Sequence, residues 1–471
     1  MALAQRKLPR VSEADRLRRP LGIDLFSGVG GMSLGFEQAG FDVVASVEYD
    51  PVHAAIHAFN FPLTEVVCAD VGTLDADHLL AAAKRGFLAH GHAEQRWSGR
   101  IDVIFGGPPC QGFSTIGKRD VGDDRNRLVY KFAKLVLAIK PTYFVLENVP
   151  GMAAGGHADI LVRLMARLAK EYDVNVEPGD VRTRSILNAA DYGVPQDRRR
   201  LVLVGALKGH AVPVRPIPTV KRVAKRRRSE SDEAGALAGV LPNGPTVGDA
   251  IGDLPNLDDF DVLLETDEVR LDARLIAASR GTASAYARIL RGEQSDPNDY
   301  SYPRVWDSEM LTSSLRTAHV AESIRRFEIT EPGQTESTSR FYRLDEDGLC
   351  NTLRAGTGSE HGAYTSPRPI HPRLPRVISV REAARLHSFP DWFRLHRTKW
   401  NGFRSIGNAV PPLLARAIAG TIVRALGMTP RKPSKAVPLG DAMLLSVSRL
   451  KAAEYFKADL RRIPNPRQAA Q

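Results

Sequence analysis

The 471-residue sequence predicts an α/β fold, with a doubly wound sheet in one large domain and a smaller, irregular second domain. Short apolar runs alternate with helical stretches from Leu21 to about Leu207, which is the pattern of repeated βαβ units. A glycine-rich turn follows the first run, and from Thr246 the sequence becomes irregular and rich in Arg, Ser, Thr and Gly. The hydrophobic share of 43% and the charged share of 25% are those of a folded globular protein.

Six short apolar runs bounded by turn residues are expected to form strands. They are Ile23 to Phe26, Val43 to Val47, Val66 to Ala69, Ile101 to Phe105, Tyr143 to Leu146 and Leu201 to Gly205. Helical periodicity predicts helices between and after these strands. The helices are expected over Met32 to Ala39, Arg270 to Arg291, Val380 to Leu386 and Pro411 to Leu426.

Composition and charge limit the classes of function. The net charge of +11 favours a polyanionic partner, of which nucleic acid is the leading candidate. The three cysteines form no CxxC pair and no Cys/His metal spacing, so we expect a reducing compartment and no bound metal. No run of 18 apolar residues occurs, and the basic first 20 residues lack the apolar core of a signal peptide. We therefore expect a cytoplasmic protein that does not enter a membrane.

The most distinctive motif runs from Gly106 to Ser114 and follows the fourth apolar run. Two glycines and two prolines stop both strand and helix before Cys110, so its thiol is presented on a tight loop. A lone cysteine is more often a small buried hydrophobe. The flanking residues favour a nucleophile here.

A second motif, Asp24 to Gly31, places glycines between the first strand and the following helix. Such a turn directs backbone N–H groups and a helix N-terminus at a ligand. The spacing is GxGG rather than GxGxxG, so a dinucleotide, a nucleoside and a simple tight turn all stay open. Glu48 and Asp70 end the next two strands, and the three strand ends together could hold an adenosine.

Two further charged groups accompany strands of the same sheet. Glu147 follows the Tyr143 to Leu146 run, which brings its carboxyl group to the same sheet edge as Cys110. In a dry cleft this carboxyl group would have a raised pKa and could donate a proton, while a simple turn carboxylate is the alternative. Arg198 and Arg200 lie on one side of the last strand, where they could face the cleft or form a surface basic patch.

Six segments, in this order, resemble the motifs of the C5-cytosine DNA methyltransferase family. They are Asp24 to Phe41, Gly106 to Ser114, Glu147 to Val149, Gln196 to Arg200, Arg381 to Phe393 and Gly407 to Pro412. The resemblance spans about Leu21 to Leu426. It implies a Rossmann-like, S-adenosylmethionine-dependent methyltransferase sheet with a smaller, irregular target-recognition domain. It also implies that the final helix packs back against the first motif.

The resemblance implies transfer of a methyl group from S-adenosylmethionine to C5 of a cytosine that is flipped out of a specific duplex DNA sequence. Cys110 would attack C6, Glu147 would hold or protonate N3, and Arg198 and Arg200 would orient the base through O2. Eight residues match the family's cofactor-contacting positions. These are Phe26, Gly28, Gly30, Glu48, Asp70, Val71, Pro108 and Asn408.

Target recognition is expected between Arg340 and His371. Thr352 belongs to the Thr-Leu pair that is usual in the family's recognition domain, and the glycine-rich sequence after it could lie in a major groove. Arg354 and Arg368 are the candidates for guanine edges, although phosphate contact is equally open for each.

Three other residues are expected on the DNA side. Gln196 begins the Gln-x-Arg-x-Arg motif. Ser114 is followed by the polar segment Thr115 to Arg127, which contains Arg125. This segment is expected to be a mobile loop that closes over the flipped base, with a static surface loop as the alternative.

The domain organisation follows from these assignments. We expect residues 1–20 to be a basic N-terminal arm, 21–207 the catalytic and cofactor-binding domain, 208–245 a basic linker, 246–378 the target-recognition domain, 379–428 a return to the catalytic domain and 429–471 a loose basic tail. The expected enzyme is a monomer on double-stranded DNA, the modification half of a restriction-modification pair whose cognate endonuclease would act on the same site without obligatory contact. A tRNA cytosine-5 methyltransferase of the same family and a non-catalytic DNA-binding regulator are the alternatives.

Overall fold

The computed structural model describes residues 18–109, 126–154, 158–176, 180–223, 241–356 and 368–459. Within them an eight-stranded sheet has the order β3-β2-β1-β4-β5-β8-β6, with β7 also paired to β8. Its strands are β1 (Leu21–Leu25), β2 (Asp42–Glu48), β3 (Glu65–Cys68), β4 (Val103–Gly106), β5 (Tyr143–Asn148), β6 (Tyr172–Val174), β7 (Ile186–Asn188) and β8 (Arg199–Leu207). Four two-residue strands lie outside it: β9 (Val269–Arg270), β10 (Arg304–Val305), β11 (Met310–Leu311) and β12 (Val437–Pro438).

The sheet confirms the predicted α/β class and all six predicted strands, with small shifts at their ends. Strands β1 to β5 pair with one another in parallel, whereas β8 runs antiparallel to β5, β6 and β7. The sequence did not predict β6 and β7, because three residues are too short to give a readable apolar pattern.

Helices connect and cover the strands. They are α1 (Gly31–Gln38), α2 (Pro51–Asn60), α3 (Ala76–Ala89), α4 (Asn126–Ile139), α5 (Ala158–Leu168), α6 (Val181–Arg184), α7 (Val247–Ile251), α8 (Ala273–Thr282), α9 (Ala285–Leu290), α10 (Ala321–Ile329), α11 (Val380–Arg385), α12 (Lys399–Asn408), α13 (Pro412–Ala425) and α14 (Arg449–Tyr455). Helices α3, α4 and α5 pack on one face of the sheet, and α1 and α13 on the other. The result is a three-layer arrangement with a core on each side of the sheet.

Helix α13 packs directly on α1, as the resemblance implied. A Cβ atom added to Gly35 would lie 2.4 Å from the Cβ of Ala415 and 2.5 Å from the carbonyl oxygen of Pro412, so only glycine allows this approach. Residues 399–425 are also long and apolar enough to cross a membrane. They form two helices, α12 and α13, and are mostly buried in the protein, which identifies them as core helices.

The irregular region after residue 246 shares a second hydrophobic core with the sheet domain. Val29 and Leu34 of the first motif lie in one cluster with Val247, Leu344 and Ile378. Because both regions contribute to this core, the core does not mark where one region ends and the other begins. The predicted boundaries at 246 and 378 stay predictions.

The helical stretch expected over Arg270 to Arg291 consists of two short helices, α8 and α9. The chain leaves α8 after Thr282, and the hydroxyl of Ser284 then accepts a hydrogen bond from the N–H of Ala287 to cap α9. A serine cap competes with a continuous helix and begins a new one.

Two described parts of the basic linker are bonded to each other, and one of them pairs with the catalytic domain. The N–H of Lys221 donates to the carbonyl of Pro242, and the N–H of Gly244 donates back to Lys221, both at 2.8 Å. Arg222 pairs with Asp191 at 2.9 Å. The most basic part of the linker, residues 224–240, lies outside the described residues.

The expectation of a loose C-terminal tail is wrong for residues 429–459. Strand β12 pairs with β10, and Leu444, Leu445 and Val447 are buried in the second core. The basic and proline-rich composition concealed these few apolar positions.

Candidate active site

The carboxyl ends of β1, β2, β4 and β5 meet at one edge of the sheet, because these strands are adjacent or nearly so and parallel. The turn after β1 has positive φ angles at Phe26 (65°), Gly28 (55°) and Gly30 (98°). A Cβ atom on Gly30 would lie 2.3 Å from the ring of Phe61, so this position requires glycine. A Cβ atom on Gly28 would meet nothing within 4 Å, which shows that the space beside the turn is open.

Glu48, at the end of β2, joins this turn to the next one. Its Oε2 atom accepts a hydrogen bond from the N–H of Gly28 and its Oε1 atom one from the N–H of Asp50, both at 2.8 Å. Burial raises the pKa of Glu48 to about 7. Two backbone donors thus fix a buried carboxyl group directly beside the open turn.

Asp24, at the same turn, has one oxygen that is satisfied and one that is not. Oδ2 accepts a hydrogen bond from the Ser33 hydroxyl at 2.6 Å, while Oδ1 is buried without a partner among the described residues. Burial raises the pKa of Asp24 to about 8. The Ser27 hydroxyl is likewise buried without a partner there. Buried polar atoms normally have partners, so these atoms fit a site that receives a polar ligand.

The remaining predicted cofactor residues lie in different environments. Asp70 caps the short helical turn Val71–Thr73 by accepting a hydrogen bond from the N–H of Gly72 at 2.7 Å, and Val71 is buried. Asn408 is exposed at the end of α12. Its neighbour Val410 reaches the first motif, since a Cβ atom on Gly31 would lie 2.4 Å from its carbonyl oxygen.

The loop that leads to Cys110 is held against the end of β5. A Cβ atom on Gly107 would lie 2.7 Å from Oε2 of Glu147, and the Asn148 side chain donates to the carbonyl of Pro108 at 3.1 Å. Description of this loop ends at Pro109. The residues outside the described part of the chain include Cys110, Ser114, Arg125 and most of the predicted mobile loop.

Glu147 pairs with Arg200 across the antiparallel strands β5 and β8. The Nε atom of Arg200 lies 3.0 Å from Oε1 of Glu147, and the side chains are only 12% and 11% exposed. Burial raises the pKa of Glu147, while the charges of Arg200 and Arg198 oppose this rise. The site thus combines a carboxyl group that can hold a proton with a guanidinium group beside it.

Comparison with known proteins gives a consistent result. A family model for C-5 cytosine-specific DNA methylase matches residues 22–424. The chain belongs to this family. It is 48% identical over 441 residues to the Type II methyltransferase M.XorII of Xanthomonas oryzae pv. oryzae, with 93% of each chain covered. It is 30% identical to the Type II methyltransferase M.AgeI of Thalassovita gelatinovora, covering 85% of this chain and 98% of that one.

A solved structure agrees with this membership. A prophage-encoded E. coli protein, described as a DNA modification methyltransferase, matches with a TM-score of 0.62 and 32% identity, covering 87% of this chain and 99% of that one. The protein is therefore a DNA cytosine-5 methyltransferase with the family's fold. The family uses S-adenosylmethionine, and the open turn with its unpartnered buried oxygens fits such a ligand.

For this methyltransferase, the expectation that Arg198 faces the cleft needs correction. Its side chain is 1% exposed, with Nη1 donating to the carbonyl of Leu353 at 2.7 Å and Nη2 to those of Gly407 and Ala409 at 2.8 Å. It lies just before β8, where strand alternation does not govern direction. Arg198 therefore joins the recognition region to the last motif, and Arg200 alone of the two pairs with Glu147.

Gln196 was expected on the DNA side, and its complete burial contradicts this. Its side-chain NH₂ donates to the carbonyl of Leu386 at 3.2 Å and lies 3.0 Å from Nδ1 of His387. Its side-chain oxygen accepts from the N–H of Leu353 at 3.1 Å. The amide group is thus fully used inside the protein.

The three recognition candidates, Thr352, Arg354 and Arg368, differ in their exposure and in their contacts with the rest of the protein. The Thr352 hydroxyl donates to the carbonyl of Asp197 at 2.6 Å, which ties it to the catalytic domain. Arg354 is exposed, whereas the half-buried Arg368 has its guanidinium group 5.3 Å from the ring centre of Phe403. The two arginines flank residues 357–367, which the structure leaves undescribed.

Some site residues were not identified from sequence. Asn148 holds the Pro108 carbonyl, and His387 links Gln196 to the carbonyl of Ala409 at 3.0 Å. The Glu-Asn-Val motif signalled Asn148 only as a neighbour of Glu147. Nothing local signals a contact between residues almost two hundred positions apart.

Proposed function

We propose that this protein methylates C5 of a cytosine flipped out of a specific duplex DNA sequence, as the modification enzyme of a Type II restriction-modification system. The observation that carries the chemistry is the buried pair of Glu147 and Arg200 against Gly107, three residues before Cys110. The Type II names of its relatives M.XorII and M.AgeI support the biological setting.

The Cys110 thiolate adds to C6 of the flipped cytosine, which breaks the aromatic ring and makes C5 nucleophilic. Glu147 holds a proton at N3, where negative charge would otherwise develop, and Arg200 orients the ring through O2. Loss of the C5 proton and departure of the thiolate from C6 restore the aromatic ring after methylation. Arg198 serves as a positioning residue, because its hydrogen bonds go to backbone carbonyls.

S-adenosylmethionine, when bound, supplies the methyl group. We propose that Glu48 accepts hydrogen bonds from the ribose hydroxyls, a role that suits a carboxyl group held by two backbone donors. Gly28 and Gly30 allow close backbone approach, and Phe26 packs on the adenine. The other proposed contacts are Asp70, Val71, Pro108 and Asn408.

Double-stranded DNA is contacted by the recognition region and by the loop after Cys110. We propose that Arg354 and Arg368 contact bases or phosphates, with Ser114 and Arg125 closing over the flipped base. The enzyme acts as a cytoplasmic monomer. A cognate endonuclease would act on the same DNA site without obligatory contact with the methyltransferase.

Transfer of a labelled methyl group tests this proposal. The wild-type protein should label duplex DNA and leave tRNA unlabelled, and Cys110→Ala should abolish labelling while duplex binding survives. Cys350→Ala, at a fully buried thiol whose Sγ atom donates to the carbonyl of Asn351, is the matched control and should retain activity. Labelling of tRNA alone would favour the RNA-modifying alternative, and comparable turnover in Cys110→Ala would contradict the nucleophile assignment.

A further inference from the structure

Arg404 lies in α12 and joins this helix to the end of β2, beside the candidate cofactor site. Its Nη1 atom donates to Oδ2 of Asp50 at 3.3 Å, and the two side chains are 21% and 5% exposed. The pair connects residues that are 354 positions apart in the chain. Because it is largely shielded from water, salt screens it less than an exposed ion pair.

Asp50 uses each of its polar groups to organise the turn between β2 and α2. Its Oδ1 atom accepts a hydrogen bond from the N–H of Val52 at 3.0 Å and so caps α2, while its Oδ2 atom accepts from Arg404. Its backbone N–H donates to Oε1 of Glu48 at 2.8 Å. The ion pair with Arg404 therefore holds the residue that supplies one of the two backbone donors to the Glu48 carboxyl group.

The electrostatics of this turn also depend on Arg404, since Glu48 and Asp50 are two buried carboxyl groups separated by a single residue. Burial alone would raise the pKa of Asp50, but two positive neighbours, His53 and Arg404, hold it below its ordinary value. Burial lowers the pKa of His53 to about 4. Of these two neighbours, Arg404 is therefore the one that carries a positive charge at neutral pH.

Helix α12 is a firm support for Arg404, because it is fixed at two other points. A Cβ atom added to Gly402 would lie 2.8 Å from Cγ1 of Val380, so α12 packs closely on α11. Near the C-terminal end of α12, the carbonyl of Gly407 accepts a hydrogen bond from Arg198 at 2.8 Å. The ion pair thus fixes the turn after β2 to a helix that is itself held in place.

Asn408, a proposed cofactor contact, is the last residue of α12 and lies four positions after Arg404. Residues four positions apart lie on the same face of an α-helix. The ion pair therefore joins the face of α12 that carries Asn408 to the strand end that carries Glu48. Two proposed cofactor contacts from distant parts of the chain are held in one fixed relation.

We infer that Arg404 is a positioning residue for the cofactor site. Its ion pair with Asp50 holds the end of β2 against α12, and so keeps Glu48 and Asn408 in the positions from which they bind. This inference rests on the proposed cofactor contacts of Glu48 and Asn408. Arg404 acts on the cofactor only through these residues.

Binding of S-adenosylhomocysteine to the full-length protein, measured by calorimetry without DNA, tests this role. Arg404→Gln keeps a long polar side chain but removes the charge, and it should weaken binding about threefold to tenfold, as for residues coupled within one network. Arg404→Lys restores the charge and should recover part of the affinity. In turnover assays, Arg404→Gln should raise the KM for S-adenosylmethionine more than it lowers kcat.

Arg416→Gln is the matched control. The Arg416 side chain is also 21% exposed and pairs with Asp296 at 2.6 Å, an ion pair that involves neither β2 nor α12. This variant should bind S-adenosylhomocysteine like the wild type, even if its thermal midpoint falls. Equal weakening in Arg416→Gln and Arg404→Gln, or unchanged affinity in Arg404→Gln, would overturn the inference.

Asp50→Asn tests the same contact from its other side. Asparagine can still cap α2 and keeps the backbone N–H that donates to Glu48, so the variant loses mainly the negative charge. Because the two residues act through one contact, Arg404→Gln should weaken binding little further in the Asp50→Asn protein. Losses that multiply independently in the double variant would contradict the inference.

Glu48→Ala tests the underlying assignment separately. Normal binding of S-adenosylhomocysteine in this variant would remove Glu48 from the proposed cofactor site. Weak binding in Glu48→Ala together with normal binding in Arg404→Gln would leave the cofactor site in place and remove only the positioning role of Arg404.

Discussion

At the scale of single residues, the proposed chemistry depends on Glu147, whose carboxyl group is buried beside Arg200. Replacement by glutamine keeps the size of the side chain but removes the proton that the acid can give to N3. We expect Glu147→Gln to lower kcat by about 10² to 10⁴, the range for loss of a general acid. Affinity for S-adenosylhomocysteine should stay unchanged. Wild-type turnover in this variant would remove Glu147 from the mechanism.

The raised pKa values of Asp24 and Glu48 predict how stability depends on pH. In the ligand-free native protein their pKa values are about 8 and about 7, against ordinary values of 3.8 and 4.5. The native state thus retains protons that the unfolded state has released, and the stability that they contribute falls as pH rises through this interval. The thermal midpoint should fall between about pH 5 and about pH 8.

Asp24→Asn provides the control for this pH dependence. The amide cannot ionise, so the fall of the midpoint with pH should become shallower than in the wild type. Identical pH profiles for the two proteins would show that Asp24 does not retain a proton in the native state.

At the scale of elements, Arg198 joins three segments that are distant in sequence. Replacement by methionine would leave the carbonyls of Leu353 and Gly407 without their donor and that of Ala409 with His387 alone. We expect Arg198→Met to lower the free energy of unfolding by about 3 kcal/mol or more, measured by urea denaturation. Arg199→Met, at the exposed neighbouring position, should change it by less than about 0.5 kcal/mol. Equal effects would contradict the anchoring role.

The same residues show what could be predicted from the sequence. Six strands of the sheet, the glycine turn and Glu147 follow from local patterns, because apolar runs and turn residues act within a few positions. The sequence marked Arg198 and Gln196 as functional but not their partners, which come from residues more than 150 positions away. The break at Ser284 has a local cause, the serine cap, whereas tertiary packing determines the folding of residues 437–459.

At the scale of the whole molecule, the net charge of +11 predicts strong dependence of DNA binding on salt. Each phosphate contact releases a counterion, so the logarithm of the association constant should fall linearly with the logarithm of salt concentration. Affinity for a duplex should fall at least about tenfold between about 50 and 200 mM salt. A flat response in fluorescence anisotropy would show that phosphate contacts contribute little.

The central claim is that the Cys110 thiolate attacks C6 of a flipped cytosine. Duplex DNA with 5-fluorocytosine at the target position, incubated with the enzyme and S-adenosylmethionine, tests it most directly, because fluorine at C5 cannot leave as a proton does. We predict a covalent complex that survives denaturation, maps to Cys110 by peptide mass and is lost in Cys110→Ala. Binding of this DNA without an adduct, or an adduct at another residue, would contradict the account.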